Sequence, residues 1–485
     1  MKLIVSFCFI VFGLTVFGQN DTAYIRTFGT AQSDEGKDII ISKDSNYVFL
    51  SNTSNFSNSN DIQIVKADKD FNVIQTVVFS SPENEKGNKI IQLVDSSFIV
   101  VGIHNTYGSG GYDGFLLKID KNFNKLWEAS VGSDGWDELL SVSSQNDTIF
   151  ASGYYQGSCG KAGQLIKISS NNGKIIEKKE VCLGIETTLN EIIFHDNKLV
   201  ICGSYVDSIL ETYQGYIAYY DKELNPLNEK IFGGDLNEEF VEIFKDFEGN
   251  ILTGGYSDSP GISLEGGEDF LLVKYDSSLN LIHSRTYGST DDDRLEGINQ
   301  GKNGNYFISG TSFGGFGLGG YGMRIIETSN ALSFLDGPTF GDIDDEYGVK
   351  VINSLDTGFV YFGNTDSYDL PYKDVYIVEI KSENIDAEYE LKIKNSSLSN
   401  SPIISKIPEK ESTEFIKIES TNSNLKIFNN GNSSLKLNIF SITGQLLHET
   451  IIHNVETIQL DSFNSGIYFI ELKNDESRKV VKFFK

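Results

Sequence analysis

From about residue 22 to residue 381 the chain alternates short apolar runs with clusters of Gly, Asn, Asp and Ser, and no window sustains helical spacing between caps. One phrase recurs: an acidic or polar residue, three or four apolar residues, then a charged one. It reads Asp61-Ile-Gln-Ile-Val-Lys66, Asp113-Gly-Phe-Leu-Leu-Lys118 and Asp269-Phe-Leu-Leu-Val-Lys274, with weaker copies ending at Lys167, Tyr219, Glu327 and Glu379. These anchors stand 49 to 55 residues apart. An apolar strand running into Ser or Gly keeps the same beat at Ser51, Gly102, Gly153, Gly203, Gly255, Gly310 and Gly363. So does a glycine, mostly behind an aromatic, with an acid five residues on: Gly29 with Asp34, Gly132 with Asp137, Gly233 with Glu238, Gly288 with Asp293 and Gly341 with Glu346. The second unit keeps only Glu85, and the fourth has Thr187 in the acid's place.

Each period has room for about four short strands, and such a unit repeated seven times is the pattern of β-propeller blades. A β-solenoid coil would be roughly half as long and a tandem sandwich roughly twice. The ends of the array point to a closed ring. Ile25-Arg-Thr-Phe-Gly29 matches Ser284-Arg-Thr-Tyr-Gly288, the last strand of a blade, yet no blade precedes it. The seventh unit runs through Asp374 to Ile380 and then lacks that strand. The N-terminal strand is therefore predicted to complete the seventh blade beside Tyr376, covering an edge that would otherwise invite aggregation. After about residue 384 the beat stops. Residues 385–414 read as a polar linker, and strands resume at Phe415 in a small β-sandwich-like domain over 415–485. The expected fold class is all-β: a seven-bladed β-propeller over 19–384, closed by an N-terminal strand and followed by that C-terminal domain.

The amino terminus adds an address. Lys2, the apolar run Leu3 to Phe17 and the small Gly18 before Gln19 form a signal peptide over 1–18, too short to span a bilayer comfortably. Cys8 lies in that run without a lipobox around it, which argues against a lipid anchor. No other stretch approaches a membrane-spanning length, so no transmembrane segment is expected in the mature chain. A net charge of −28, with 40 basic against 68 acidic residues, excludes nucleic acid and anionic membrane surfaces as partners. Cations, cationic surfaces and neutral glycans remain. Of the cysteines left after cleavage, Cys159 and Cys182 flank a predicted hairpin turn at Asn171-Asn172-Gly173 at nearly equal distances. They are the disulfide candidate in an oxidising compartment. Cys202, inside an apolar stretch, reads as a buried thiol.

Two stretches resemble known families. Tyr287-Gly288, Asp292-Asp293, Asn303 to Gly310 and Asp269 to Asp276 give residues 22–381 a resemblance to bacterial secreted propeller-like repeat proteins, which implies a fold and little about activity. The closing segment resembles the C-terminal sorting domain of the type IX secretion system. The matching residues are Leu437 to Phe440, Gly444-Gln445-Leu446-Leu447, Ile458 to Leu460, Ser465 to Ile470 and Lys479 to Lys482. Ile427-Phe428-Asn429-Asn430 stands where the family usually has a Tyr-Pro-Asn-Pro phrase. The resemblance implies export through the periplasm to the medium or the cell surface, with the type IX machinery as partner.

Candidate chemistry is sparse. The recurrent acids Asp34, Glu85, Asp137, Glu238, Asp293 and Glu346 open each unit and either cap their own turns or crown one mouth of the ring as Ca2+ ligands. Their presence in nearly every unit favours the framework role, and Asp291, Asp292, Asp293, Asp342, Asp344 and Asp345 are the densest cation candidates. His104, His195, His283, His448 and His453 lack ligand spacing. No catalytic elbow or phosphate loop appears, and Gly314 to Gly322 reads as a long turn between strands. Trp136, Tyr154, Tyr155, Tyr256, Phe313, Phe316 and Tyr321 fall in or near loops, where aromatics stack on sugars or anchor partners when they do not pack between blades. The leading expectation is an exported binding or adhesion protein without cofactor, its propeller facing a glycan or surface protein. The alternatives are a glycan-active hydrolase or lyase using carboxylates at the mouth, and a structural surface protein without a small ligand.

Overall fold

The computed structural model describes residues 21–54, 59–81, 83–105, 111–259, 267–289, 291–313, 320–341, 344–367, 372–381 and 389–397, with shorter stretches from 416 to 484. The expected signal peptide with Cys8, the aromatic Phe316 and the acid Asp342 lie outside the described residues.

Seven antiparallel sheets follow one another along the chain. Blade one holds β2 (Asp34–Ile41), β3 (Tyr47–Thr53), β4 (Asp61–Ala67) and β5 (Val73–Phe79). Blade two holds β6 (Glu85–Gln92), β7 (Phe98–His104), β8 (Asp113–Ile119) and β9 (Lys125–Val131). Blade three holds β10 (Glu138–Gln145), β11 (Thr148–Gly157), β12 (Gly160–Ser169) and β13 (Ile175–Val181). Blade four holds β14 (Thr187–His195), β15 (Lys198–Val206), β16 (Tyr213–Tyr220) and β17 (Pro226–Phe232). Blade five holds β18 (Glu238–Lys245), β19 (Ile251–Ser257), β20 (Asp269–Tyr275) and β21 (Leu281–Tyr287). Blade six holds β22 (Asp293–Gln300), β23 (Tyr306–Phe313), β24 (Tyr321–Thr328) and β25 (Phe334–Asp336), and a short β26 (Thr339–Phe340) also pairs with β24.

Blade seven closes the ring. Its strands β27 (Glu346–Asn353), β28 (Phe359–Thr365) and β29 (Asp374–Ile380) are completed by β1 (Asp21–Gly29), antiparallel to β29 with Thr27 opposite Tyr376 and Phe28 opposite Val375. One element differs from the expectation. The stretch read as linker from 385 contributes β30 (Tyr389–Ser397), which runs parallel to β1 from Asp21 beside Tyr389 to Gly29 beside Ser397. Its polar composition hid it, because a strand that caps a sheet edge needs backbone pairing rather than an apolar run. Beyond it, β31 (Ile416–Ser420), β32 (Asn424–Asn429) and β35 (Val455–Gln459) form one small sheet. A second sheet contains β33 (Leu435–Ser441), β34 (Leu446–Ile452), β36 (Ile467–Lys473) and β37 (Arg478–Phe484).

The first strand of each blade packs against the first strands of its neighbours around the centre of the ring. The second and third strands are buried along nearly their whole length, as in β7 and β8, while outer strands such as β17 and β21 are largely exposed. The core therefore lies between blades. Val48, Ile64, Ile90 and Val100 of blades one and two share one cluster, and Cys202, Ile217, Phe240 and Val273 of blades four and five share another.

Two local devices repeat. Every innermost strand carries a β-bulge, where the register slips between Gly36 and Asp38, Gly87 and Lys89, Leu139 and Ser141, Leu189 and Glu191, Phe240 and Glu242, Leu295 and Gly297, and Gly348 and Lys350. The recurrent glycine of the second strand faces that bulge: a Cβ on Gly102 would lie 1.8 Å from the Lys86 carbonyl oxygen. The second device is the turn between third and fourth strands. Asp68, Asp120, Asp221 and Asp276 each accept backbone N–H groups two and four residues on, and Phe71, Phe123, Leu224 and Leu279 take positive φ of 55° to 66°. A left-handed bulky residue costs about 1–2 kcal/mol. Each of these side chains is at most 1% exposed, and burial of that kind contributes about 1.5–3 kcal/mol. Burial wins.

Candidate functional site

The recurrent acids are buried turn caps. Four of them accept the backbone N–H four residues earlier, at the start of an innermost strand: Thr30 on Asp34 (2.5 Å), Ser133 on Asp137 (2.5 Å), Gly234 on Glu238 (2.6 Å) and Ser289 on Asp293 (2.7 Å), and Glu85 accepts the Ser81 hydroxyl. Second-strand hydroxyls add to this, with Ser257 on Glu238 (2.8 Å) and Thr365 on Glu346 (2.7 Å). In blade four the Thr187 hydroxyl takes the same backbone donor, Leu183 N–H, at 3.0 Å. A hydroxyl does the task of a carboxylate there, so the task is to accept a turn amide.

The residues after the bulges are not repeated, and they converge. Lys89 of blade two reaches across the centre to Glu191 of blade four at 2.9 Å and Glu242 of blade five at 3.8 Å. Lys350 of blade seven meets Asp38 of blade one, which also accepts Ile90 N–H (2.9 Å) from blade two. Burial opposes the charge on Lys89, but Glu191, Glu242 and Asp38 together hold it protonated well above the ordinary lysine range. Burial raises Glu242 to about 7, against the pull of Lys89. Glu296, the bulge residue of blade six, is pushed up to about 8 by burial first and by Glu239 and Glu242 after it. Sequence reasoning missed this belt. Its only signal is position: three and four residues after each recurrent acid, where residue types change from blade to blade.

Toward the loop end of the channel the aromatics sit beside charges. The Tyr154 hydroxyl donates to Glu138 Oε2 (2.7 Å), and Lys161 Nζ lies 4.3 Å from the Tyr154 ring. Arg294 bonds Glu268 and spreads over the Tyr256 ring at 4.8 Å. Burial and the facing Glu138 and Glu239 raise Tyr154 and Tyr256 well above the ordinary phenol range. Trp136 is 63% exposed, its ring 4.9 Å from that of Tyr112. Phe313, Tyr321 and Tyr347 form a run at 4.8 and 5.5 Å, and Tyr347 donates to Asp345 Oδ2 at 3.0 Å. Tyr155 bonds Glu180 at the disulfide loop.

The remaining candidates take part in loop hydrogen bonds and ion pairs. Asp292 Oδ1 accepts Glu268 N–H (3.2 Å) and Asp345 Oδ1 accepts Tyr321 N–H (2.9 Å), the same cap in two blades. Asp291 N–H bonds the Ser289 hydroxyl (3.3 Å), and Asp344 N–H bonds that of Ser367 (3.2 Å). Among the described residues no three His, Cys, Asp or Glu groups are placed to hold a metal ion. His104 is buried against Ser130 at 2.9 Å, its pKa lowered by burial, and His195 pairs with Asp196 at 3.0 Å. Cys159 and Cys182 are joined in a disulfide that ties the β11–β12 turn to the end of β13, and Cys202 is a buried free thiol.

Residues 413–485 match the family described as secretion system C-terminal sorting domain. The chain is exported by the type IX secretion system. Its route runs through the periplasm to the cell surface or the medium. Among the described residues no helix is long and apolar enough to cross a membrane. Comparison with curated proteins finds no match. Among solved structures, the WD40 domain of Neurospora crassa Pan2 aligns at a TM-score of 0.45 and 8% identity over 74% of this chain and 92% of that one. The β-propeller domain of the Pyrococcus furiosus Trilobed protease aligns at 0.41 and 14% over 73% and 96%. PorZ, an essential surface component of the type IX secretion system of Porphyromonas gingivalis, aligns at 0.38 and 11% over 92% and 75%.

Proposed function

We propose that this exported propeller is a binding protein whose ligand is a neutral glycan seated on the loop end of the ring, over the channel mouth. The observation that carries this reading is where the residues that break the repeat gather. Trp136 on Tyr112, Tyr154 with Glu138 and Tyr256 with Arg294 all stand at that end. Aromatic faces beside hydrogen-bonding carboxylates suit sugar rings and hydroxyls. The net charge of −28 turns anionic polymers away. The test is retention of the mature chain on immobilised neutral and acidic polysaccharides. Retention on a neutral polymer, weakened at least about tenfold in Trp136→Ala and Tyr154→Ala, supports the reading, since one lost aromatic contact of about 1.4 kcal/mol is that factor. Absence of retention on every neutral polymer, or retention that ignores both variants, contradicts it.

A second reading, a glycan hydrolase or lyase, draws on Glu296 and Glu242, whose pKa values of about 8 and about 7 suit general acids at neutral pH. New reducing ends from a bound polymer, abolished in Glu296→Gln while retention persists, would favour the enzyme over the binding protein.

A further inference from the structure

Four blade junctions bring two buried acids together in one arrangement. The second acid opens an innermost strand, and the first opens the third strand of the blade before it. In each, the N–H of the second acid donates to the carbonyl just ahead of the first: Asp34 to Lys373 (2.6 Å), Glu85 to Asn60 (2.8 Å), Asp137 to Tyr112 (2.8 Å) and Asp293 to Glu268 (2.5 Å). That bond sets Asp374 beside Asp34, Asp61 beside Glu85, Asp113 beside Asp137 and Asp269 beside Asp293. Every one of these acids is at most 7% exposed. At three of the junctions a glycine, Gly29, Gly132 or Gly288, makes the room, and at the Asp61–Glu85 junction Ser80 stands in its place. A Cβ on Gly29 would lie 2.0 Å from Asp374 Oδ1, and one on Gly288 would lie 1.8 Å from Asp269 Oδ1 and 2.9 Å from Asp293 Oδ2. At Gly288 both carboxyl groups of the pair reach into one niche.

The other junctions show what that niche accepts. Between blades four and five the first acid is replaced by Gln214, whose Oε1 would lie 1.8 Å from a Cβ on Gly233, with Glu238 Oε2 at 3.1 Å. An amide is the neutral likeness of a protonated carboxyl. Between blades three and four, Ala162 precedes the Gly163–Val181 pair as Asp113 precedes the Gly114–Val131 pair, so Ala162 stands in the first acid's place and Thr187 in the second's, and both are neutral. Between blades six and seven, Gly322 leaves Glu346 as the single acid. Within one chain, every junction that departs from the acid pair holds at most one charge.

Two carboxylates in contact away from water cannot both ionise, and such a pair keeps one proton and titrates as a unit. We infer that the pairs Asp34–Asp374 and Asp269–Asp293 each hold a shared proton in the folded ring at neutral pH, and that the pair at the closing seam, Asp34–Asp374, makes ring closure pH-sensitive. The seam pair is singled out by its surroundings. Arg324 lies near Asp293 and offsets charge there. Around Asp374 the facing charges are Asp34 and Asp366, and Lys373 is turned to Asp366 at 3.8 Å. Burial first, then Asp34 and Asp366, push Asp374 up to about 8. Loss of the shared proton leaves two charges against Gly29, the last residue of the strand that closes the ring.

The test uses the full mature chain with Asp374→Asn and Gln214→Glu, read by thermal unfolding at pH 5 and pH 8.5 and by the infrared band of protonated carboxyl groups at pH 7. The wild type loses melting temperature between the two pH values. Asp374→Asn loses less and shows one protonated carboxyl fewer. Gln214→Glu, which installs a fifth pair, melts like the wild type at pH 5 and below it at pH 8.5. If Asp374→Asn does not fold, Gln214→Glu decides alone. An unchanged pH 8.5 midpoint in Gln214→Glu, or a wild-type pH slope and carboxyl band in Asp374→Asn, overturns the proposal. So does Ca2+ that stabilises the wild type at pH 8.5 but not Asp374→Asn, because the niche then belongs to a cation.

Discussion

β1 and β21 carry nearly the same words, Arg-Thr-Phe-Gly and Arg-Thr-Tyr-Gly, and both are the fourth strand of a blade. Their surroundings differ. In β21, Arg285 and the residues before it are exposed along an open edge. In β1, Arg26 is 7% exposed, its guanidinium 3.2 Å from Glu379 and 4.9 Å from the ring of Phe71, and Ile25 is 2% exposed. Two features account for the change. β30 lies along the outer edge of β1, where β21 has no further strand among the described residues. The anchor position of the third strand, a lysine in blades one, two, three and five, is Glu379 in blade seven, as it is Glu327 in blade six. Lys66, Lys118 and Lys274 pair with Asp44, Asp95 and Asp246 within their own blades. Glu379 instead takes its cation from the N-terminal strand. A repeated phrase makes a strand anywhere in the ring, but an inverted charge opposite it and a capping strand beside it make the seam.

The largest way to break that comparison is to remove the strand. A chain starting at Thr30 loses Ala23, Ile25 and Phe28, all at most 2% exposed. At about 1.5–3 kcal/mol for each fully buried large apolar side chain, this approaches the whole stability of a typical fold, about 5–15 kcal/mol. Calorimetry should find no cooperative propeller transition. Next comes the pair of arginines. Arg26→Ala strands a buried Glu379 and should lower the denaturant-derived stability by about 3 kcal/mol, while Arg285→Ala should stay within about 0.5 kcal/mol. Equal losses at the two positions would erase the distinction between seam and open edge. A smaller effect is expected from pH. The folded pKa of Asp374, about 8, exceeds its ordinary value of 3.8, so the folded chain holds the extra proton between the two. The associated stability is fully present below about pH 4, falls as pH rises toward 8 and levels off above it. Melting temperatures that climb from pH 5 to pH 8 in wild type but not in Asp374→Asn would contradict the sign. The smallest effect belongs to the open edge itself: Leu281→Ser, at a 55% exposed position, should change stability by less than about 0.5 kcal/mol.

The ring was legible because its signals are local and repeated. The anchors of the third strands, the Gly or, in blade one, Ser51 that faces each bulge and the orphan Arg-Thr-Phe-Gly strand at the start all survive as words in the sequence. The bulges were not legible as bulges, since the extra residue has no fixed type: it is Lys37, Asn88, Leu140, Asn190, Val241, Glu296 or Val349. The charged belt behind them was hidden for a related reason. Lys89, Glu191 and Glu242 are about fifty residues or more apart and meet only because the ring folds blade two against blades four and five across the centre. The acids drew attention through repetition, and their repetition marked them as turn caps. The residues with the most chemistry are those that do not repeat.

Hydrogen exchange measured by mass spectrometry on the mature chain tests the closure most directly. If β1 completes blade seven, amides of residues 23–28 exchange as slowly as those of 374–380, their register partners, and both open only with global unfolding. Free exchange across 23–28 while 374–380 stays protected would contradict closure by the N-terminal strand.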